Sequence, residues 1–252
     1  MNRRDFIIKS LLALGGAPLL AACREEKRPA EKAKDTKADQ KGEGKMKILM
    51  INGSAHEKGC TYTALSEIAA VLKAEGVDSE IIQLGGEPYR DCIGCGVCRK
   101  IGKCVFDDDI VNKLVEKAKT ADGFIFGTPV YYAHPSGRIL SVLDRAFYSG
   151  AAAFAGKPGA AIASARRAGT VASIDVLNKY FTINDMPVIS STYWNEVHGN
   201  TPEEVREDKE GLQTMRNLGK NMAWAVKLLA EGKKLGLGLP APESGARTNF
   251  IR

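Results

Sequence analysis

From Met46 onward the chain alternates between two hydrophobic periods, and this alternation restricts its fold more than any other feature. "MKILMIN" (46–52) is a short apolar run that ends at a Gly-Ser turn. "TYTALSEIAAVLKAEG" then places Leu65, Ile68, Ala69 and Leu72 on one helical face before Gly76 stops it. The pattern repeats with "DSEIIQL" as a strand and "DDIVNKLVEKAKTAD" as a helix that turns Ile110, Leu114 and Val115 inward. "GFIFGTPV" reads as a continuous apolar strand, as expected when both sheet faces are covered. A helix through "SGRILSVLDRAFY", the strand "GAAIASA", a helix through "VASIDVLNKYF", the strand "MPVIS" and a long last helix complete the set. Thr201-Pro202-Glu203-Glu204 reads as a capping box that opens the last helix. Five strands alternating with five helices predict an α/β fold, a doubly wound five-stranded parallel sheet between two helical layers.

What precedes Met46 reads as an address and a tether. "MNRRDFIIKSLLALGGAPLLAAC" sets twin arginines, Arg3 and Arg4, before an apolar run that stops at Leu20-Ala21-Ala22-Cys23. It resembles a twin-arginine export signal ending in a bacterial lipobox, with residues 1–22 removed and Cys23 acylated. Lys9 interrupts the run, which is shorter than the roughly 20 residues of a membrane-spanning helix. Within the segment 23–45, residues 24–44 carry seven basic and six acidic side chains and no large apolar residue, a composition that favours a solvated tether. The folded domain is therefore expected over 46–252, on an exported lipoprotein held to the extracytoplasmic side of a membrane through Cys23. The formal charge of +6 includes the basic excess of the leader, and no Lys/Arg run interleaved with aromatics follows, so nucleic acid is not the expected partner.

In a doubly wound sheet, ligands sit beyond the carboxyl ends of the strands. The loop after the first strand, "NGSAHEKGCTYT", gathers small residues and hydroxyls, so that backbone N–H groups and side chains converge on an anion at a helix start. It lacks the Gly-Lys-Ser/Thr of a Walker A loop and the GxGxxG of dinucleotide folds, and a single phosphate fits best. After the third strand, "GTPVYYAHPSG" offers an aromatic wall for a planar ring. After the fourth, "SARRAGT" brings Arg166 and Arg167 beside the cleft, where positive charge favours a ring that becomes anionic on reduction. As the start of a helix, the same arginines would oppose the helix dipole. Trp194 and His198, in a loop past the fifth strand, either close over a neighbouring subunit's ring or pack in an interface, and the interface role is preferred.

Cys92, Cys95, Cys98 and Cys104 follow C-x2-C-x2-C-x5-C. Three cysteines at successive x2 spacings wrap one side of a cubane, whereas zinc sites generally draw two separated ligand pairs. Gly94 and Gly96 let the backbone wind closely. Free thiols, zinc and a disulfide stay open as alternatives to a [4Fe-4S] cluster. No Ser-His-Asp order, GxSxG elbow or HExxH motif supports hydrolysis, and His56, His134 and His198 read as hydrogen-bonded loop residues.

"KILMINGSAHEKGCT", the cysteine loop followed by "CVFDDD", and "ADGFIFGTPVYYAHPSGRILSVLDR" resemble the NADPH-dependent FMN reductase and iron-sulfur flavoprotein group of flavodoxin-like proteins. The resemblance implies a flavodoxin-like fold with FMN at the strand ends, and a homodimer or homotetramer with flavin near a subunit interface. By motif position it puts phosphate binding on Ser54, His56, Cys60, Thr61 and Thr63, and ring contacts on Thr128, Pro129, Val130 and Tyr131. The chain departs from the group at Cys60, where Asn is common, and at His56, where Arg is usual. Twin-arginine signals, by resemblance to their class, export proteins already folded around cofactors, a route that suits FMN and a cluster. The leading expectation is an oxidoreductase passing electrons among NAD(P)H or a donor protein, FMN and the cluster, towards a redox partner protein or a small-molecule acceptor. A carrier with no substrate of its own, an FMN reductase without the cluster and a structural or metal-binding lipoprotein are the alternatives.

Overall fold

The computed structural model describes residues 45–243 and, beyond them, residues 245, 246, 248 and 250. The expected signal, Cys23 and nearly all of the tether lie outside the described residues. Among those described, no helix is long and apolar enough to cross a membrane.

In chain order the elements are β1 (Lys47–Asn52), α1 (Cys60–Ala74), β2 (Asp78–Gln83), the single turn α2 (Cys98–Ile101), α3 (Val111–Thr120) and β3 (Gly123–Tyr131). They continue with the short β4 (His134–Pro135), α4 (Gly137–Gly150), β5 (Gly159–Ala165), α5 (Thr170–Thr182), β6 (Glu196–His198), α6 (Pro202–Glu207) and α7 (Lys209–Lys234). Five strands run parallel in the order β2-β1-β3-β5-β6, and β4 folds back antiparallel on the end of β3.

The two-residue period of the central strands divides the core into two layers. Ile48 and Met50 of β1, Ile125 of β3 and Ile162 of β5 pack with Leu65, Ile68 and Leu72 of α1 and with Met215, Leu218 and Met222 of α7. Leu49, Ile51, Phe124 and Phe126 face the other way, onto Leu114 of α3, Val142 and Leu143 of α4, and Leu177 and Phe181 of α5. Aromatic stacking reinforces this second layer: the Phe126 and Phe181 ring centroids are 4.8 Å apart, and those of Phe147 and Phe154 are 4.5 Å apart. Each fully buried phenylalanine contributes about 1.5–3 kcal/mol relative to exposure.

Two expected elements are corrected. "MPVIS" makes only an isolated bridge, Val188 to Gly159, and the fifth sheet position passes to Glu196–His198. Pro187 has no N–H to give a ladder, and α7 takes up the polar groups that follow. Ser191 Oγ donates to Thr214 O (2.7 Å), Asn221 Nδ2 to Ser190 O (2.8 Å) and Asn217 Nδ2 to Thr192 Oγ1 (3.0 Å). The long last helix is also two helices. Thr201 Oγ1 caps α6 by accepting from Glu204 N (3.3 Å), but the Glu204 carboxylate accepts from Asn200 N, one residue before the position a capping box uses. Asp208 leaves helical geometry with ψ at 80°, and its carboxylate accepts from Gly211 N (2.9 Å) to start α7.

Glu80 on β2 accepts hydrogen bonds from Lys117 of α3 (2.7 Å) and Lys47 of β1 (2.5 Å), which hold its carboxyl below the ordinary 4.5. Glu80→Gln is expected to cost about 0.5–1 kcal/mol at neutral pH in urea denaturation, a magnitude set by the partial exposure of the pair. The folded carboxyl titrates below the unfolded one, so this stabilisation is complete above 4.5 and is lost as pH falls through the lowered folded value. The stability gap between the two proteins should therefore close on acidification.

Candidate functional site

The carboxyl ends of β1, β3 and β5 meet around one tight backbone contact. Gly53 N donates to Gly127 O (2.8 Å), and Ser136 Oγ donates to Gly53 O (2.8 Å), tying together the loops that follow β1 and β3. A Cβ on Gly53 would stand 2.9 Å from that same Gly127 oxygen, so only glycine permits the approach. Beyond it, Ser54 is buried: its N–H donates to Asn52 Oδ1 (3.1 Å) and its hydroxyl accepts from His56 N (3.1 Å). Gln83, at the end of β2, donates to Ser54 O (2.8 Å) and accepts from the Asn52 amide. The loop becomes a bow with His56 exposed on its outside.

Helix α1 starts at Cys60, with Gly59 at its N-cap and no side-chain hydrogen bond there. Its first-turn N–H groups therefore lack a capping side chain, the kind of helix start that suits an anion. The neighbouring hydroxyls have inward partners. Thr61 Oγ1 lies 2.7 Å from Ser164 Oγ on β5, and Thr63 Oγ1 donates to Gly59 O (3.1 Å). The Cys60 thiol points to Gly199 O at 3.6 Å, and burial pushes its pKa up, so it stays a neutral thiol.

At the end of β3, Thr128 is fully buried, Pro129 and Val130 are half-buried and Tyr131 is exposed. Thr128 Oγ1 accepts from Ser136 N (2.9 Å) and donates to Pro129 O (2.9 Å), bracing the hairpin that carries Tyr131. At the tip, Tyr132 and Ala133 hold φ of 52° and 57°, strained for non-glycine residues, and Tyr132 is fully exposed. Gly169, with φ of 92°, presses the β5–α5 loop against Ala133, where a Cβ would lie 2.5 Å from the Ala133 Cα.

Arg166 and Arg167 are exposed in that loop, before α5 begins at Thr170, so the expected conflict with the helix dipole does not arise. His198 joins them, its Nε2 3.1 Å from Arg167 O. Trp194 does not: it precedes β6, next to Asn195, whose carbonyl accepts from Ala163 N at mid-strand (3.0 Å), and it stacks edge-on with Tyr193.

The four cysteines line one cavity of about 350 Å³ between the 91–106 loop and α4. Gly94 and Gly96 adopt φ of 63° and 67°, the left-handed turns that wind the loop around it. Cys92 and Cys95 are exposed, Cys98 Sγ lies 3.5 Å from Tyr148 O, and Cys104 is buried. Asn112 fixes Cys104 from both sides, accepting from its N–H (2.9 Å) and donating to its carbonyl (3.0 Å). Ser141 and Arg145, one turn apart on α4, grip the two ends of the loop: Ser141 donates to the Asp91 carboxylate, Arg145 to Cys104 Sγ (3.3 Å) and Asp109. Among the described residues, no three His, Cys, Asp or Glu side chains converge on a single ion. A cubane takes one thiolate per iron, so its ligands encircle a multi-iron core instead of meeting at one point. Neither Asn112, Arg145 nor Ser141 figures in the sequence-based site. Their one local signal is position, within "SGRILSVLDR" for Ser141 and Arg145 and just after "CVFDDD" for Asn112.

With this geometry, the NADPH-dependent FMN reductase family model matches residues 46–201, more than half of the chain. The chain belongs to that family. FMN is the flavin of the family, and the protein is an FMN-dependent oxidoreductase or electron-transfer flavoprotein. An iron-sulfur flavoprotein of Methanocaldococcus jannaschii is 33% identical over 197 residues, covering 73% of this chain and 99% of its own. Among solved structures, RosB with a bound 8-demethyl-8-formylriboflavin-5'-phosphate intermediate aligns with a TM-score of 0.58 at 14% identity, over 82% of this chain and 94% of its own. A WrbA-like flavodoxin of Agrobacterium tumefaciens aligns with a TM-score of 0.51 at 15% identity, over 73% of this chain and 98% of its own. At such identities the structural likeness shows the flavodoxin-like fold alone.

Thr128→Val keeps the shape of the side chain but leaves the buried Ser136 N–H without its acceptor. It should lower stability by about 1–3 kcal/mol in urea denaturation. Because the hairpin loses its brace, the purified variant should also retain less FMN per chain than the native protein.

Proposed function

We propose that the chain is an exported, lipid-anchored electron-transfer flavoprotein that pairs FMN with a [4Fe-4S] cluster on Cys92, Cys95, Cys98 and Cys104. The observation that carries this reading is that all four cysteines line one cavity, wound by two left-handed glycines, in a chain of an FMN family. The name of the Methanocaldococcus relative supports it. FMN, when bound, links two-electron donors to one-electron acceptors. The chain's residues do the rest. The open start of α1 receives the phosphate, with the Ser54, Cys60, Thr61 and Thr63 region shaping its floor and His56 at its rim. Residues 128–131 flank the ring, and Arg166 supplies positive charge beside it. NAD(P)H or a donor protein is the electron source, a partner protein or small molecule the acceptor, and a homodimer or homotetramer the assembly. Residues 1–22 direct export and Cys23 carries the anchor.

The deciding measurement is iron, acid-labile sulfide and flavin per chain on protein purified without oxygen. About four irons and four sulfides per FMN are expected; flavin without iron would leave an FMN reductase lacking the cluster, and stoichiometric zinc without colour would overturn the reading. For the anchor, Cys23→Ala should move the protein from the membrane fraction to the soluble extracytoplasmic fraction. Replacing Arg3 and Arg4 with lysine should hold it in the cytoplasm.

A further inference from the structure

Arg145 is the largest fully buried side chain among the described residues, with 1% of its surface exposed. Among the described residues, its guanidinium donates to the segment around the cysteines alone. Nε donates to Cys104 Sγ (3.3 Å), Nη1 to Arg90 O (3.4 Å) and Asp109, and Nη2 to Phe106 O (3.3 Å) and the other Asp109 oxygen (3.2 Å). Its guanidinium also lies 5.2 Å from the centre of the Phe106 ring, and the guanidinium of Arg90 lies 4.9 Å from the same ring. Stability alone does not call for such an arrangement, because a buried ion pair replaced by well-packed apolar groups is often no less stable. A cluster ligand does call for it. Hydrogen bonds and charge at ligand sulfurs are among the main determinants of an iron-sulfur potential. Of the four thiols, Cys104 is the one given an arginine donor among the described residues.

We infer that Arg145 is a positioning residue that holds Cys104 for the cluster and raises the cluster's reduction potential, with Asp109 setting how much of its charge the sulfur feels. The inference rests on the cluster reading of the four cysteines. Reduction adds one negative charge to the cluster, and a fixed donor and cation at the Cys104 sulfur favour the form that carries it. Asp109, bound to the far side of the guanidinium, works in the opposite sense. The two halves of one ion pair should therefore shift the potential in opposite directions, a signature that loosened packing does not produce.

The test uses the full-length protein purified anaerobically, with iron, sulfide and FMN counted per chain and the cluster titrated with dithionite against mediator dyes. Arg145→Met should lower the midpoint by at least a tenfold change in the one-electron equilibrium, which is about 59 mV. Asp109→Asn should raise it, and Arg145→Lys should fall between Arg145→Met and the native protein. If Arg145→Met instead loses iron while keeping its FMN, recovery of iron in Arg145→Lys supports the positioning role. If Arg145→Met does not fold, the upward shift in Asp109→Asn carries the decision. Unchanged potentials, shifts of the same sign, or iron loss that lysine does not restore overturn the inference while leaving the cluster in place. Native protein without iron and sulfide overturns the cluster reading and the inference with it.

Discussion

The hydrogen bond from Gly53 N–H to the Gly127 carbonyl fixes the distance between the loop that follows β1 and the loop that follows β3. Ser136 closes the same junction from the other side through the Gly53 carbonyl, and Thr128 holds Ser136 in turn. Gly127 has its own reason to be glycine, since a Cβ there would stand 2.9 Å from the Thr61 methyl at the start of α1. Three elements that would face one mononucleotide are thus registered against each other by one backbone hydrogen bond, two short buried hydroxyls and the close approach of α1 to Gly127.

The cysteine cradle is built on a different principle. The junction at the strand ends depends on close backbone approach, whereas the 90–109 segment depends on polar side chains buried against α4 and α3. Arg145 with Asp109, and Asn112 with the Cys104 backbone, carry most of this, and breaking a buried pair on one side costs about 3–5 kcal/mol, far more than an exposed ion pair returns. The exposed pairs here, such as Lys103 with Asp107, contribute little by the same measure. The cradle therefore depends on protein groups already paired with each other, on a segment with little regular secondary structure beyond one helical turn.

The sheet was legible wherever a local period carried the information. Strands β1, β3 and β5 are runs of apolar residues buried on both faces, and α1, α3, α4 and α5 show their stripes in the bare sequence. "MPVIS" has the same composition as a strand, yet whether it pairs depends on what α7 does with the hydroxyls after it, a long-range matter that no window contains. The break at Asp208 is hidden for a related reason, because the same carboxylate that caps α7 also accepts from His198 N at the end of β6 (2.6 Å). In the candidate site, cysteine spacing and the strand-end loops were readable, since turn residues and repeated ligands are local signals. Arg145 was not, because an arginine in an amphipathic helix looks the same whether it meets water or a buried carboxylate. Gln83, Asn112 and Ser136 escaped likewise, their partners being set by the tertiary fold.

The detour of residues 190–195 around the outer margin of the sheet also affects how the molecule meets its neighbours. After the single rung at Val188 the main chain bows away, and only three residues of β6 return to the border. An invading strand would find a broken rail there, too short and too uneven to extend, and proteins commonly guard a free margin this way. The irregular path that hides the fifth strand in the sequence thus also shortens the stretch of free margin open to strand addition along that flank.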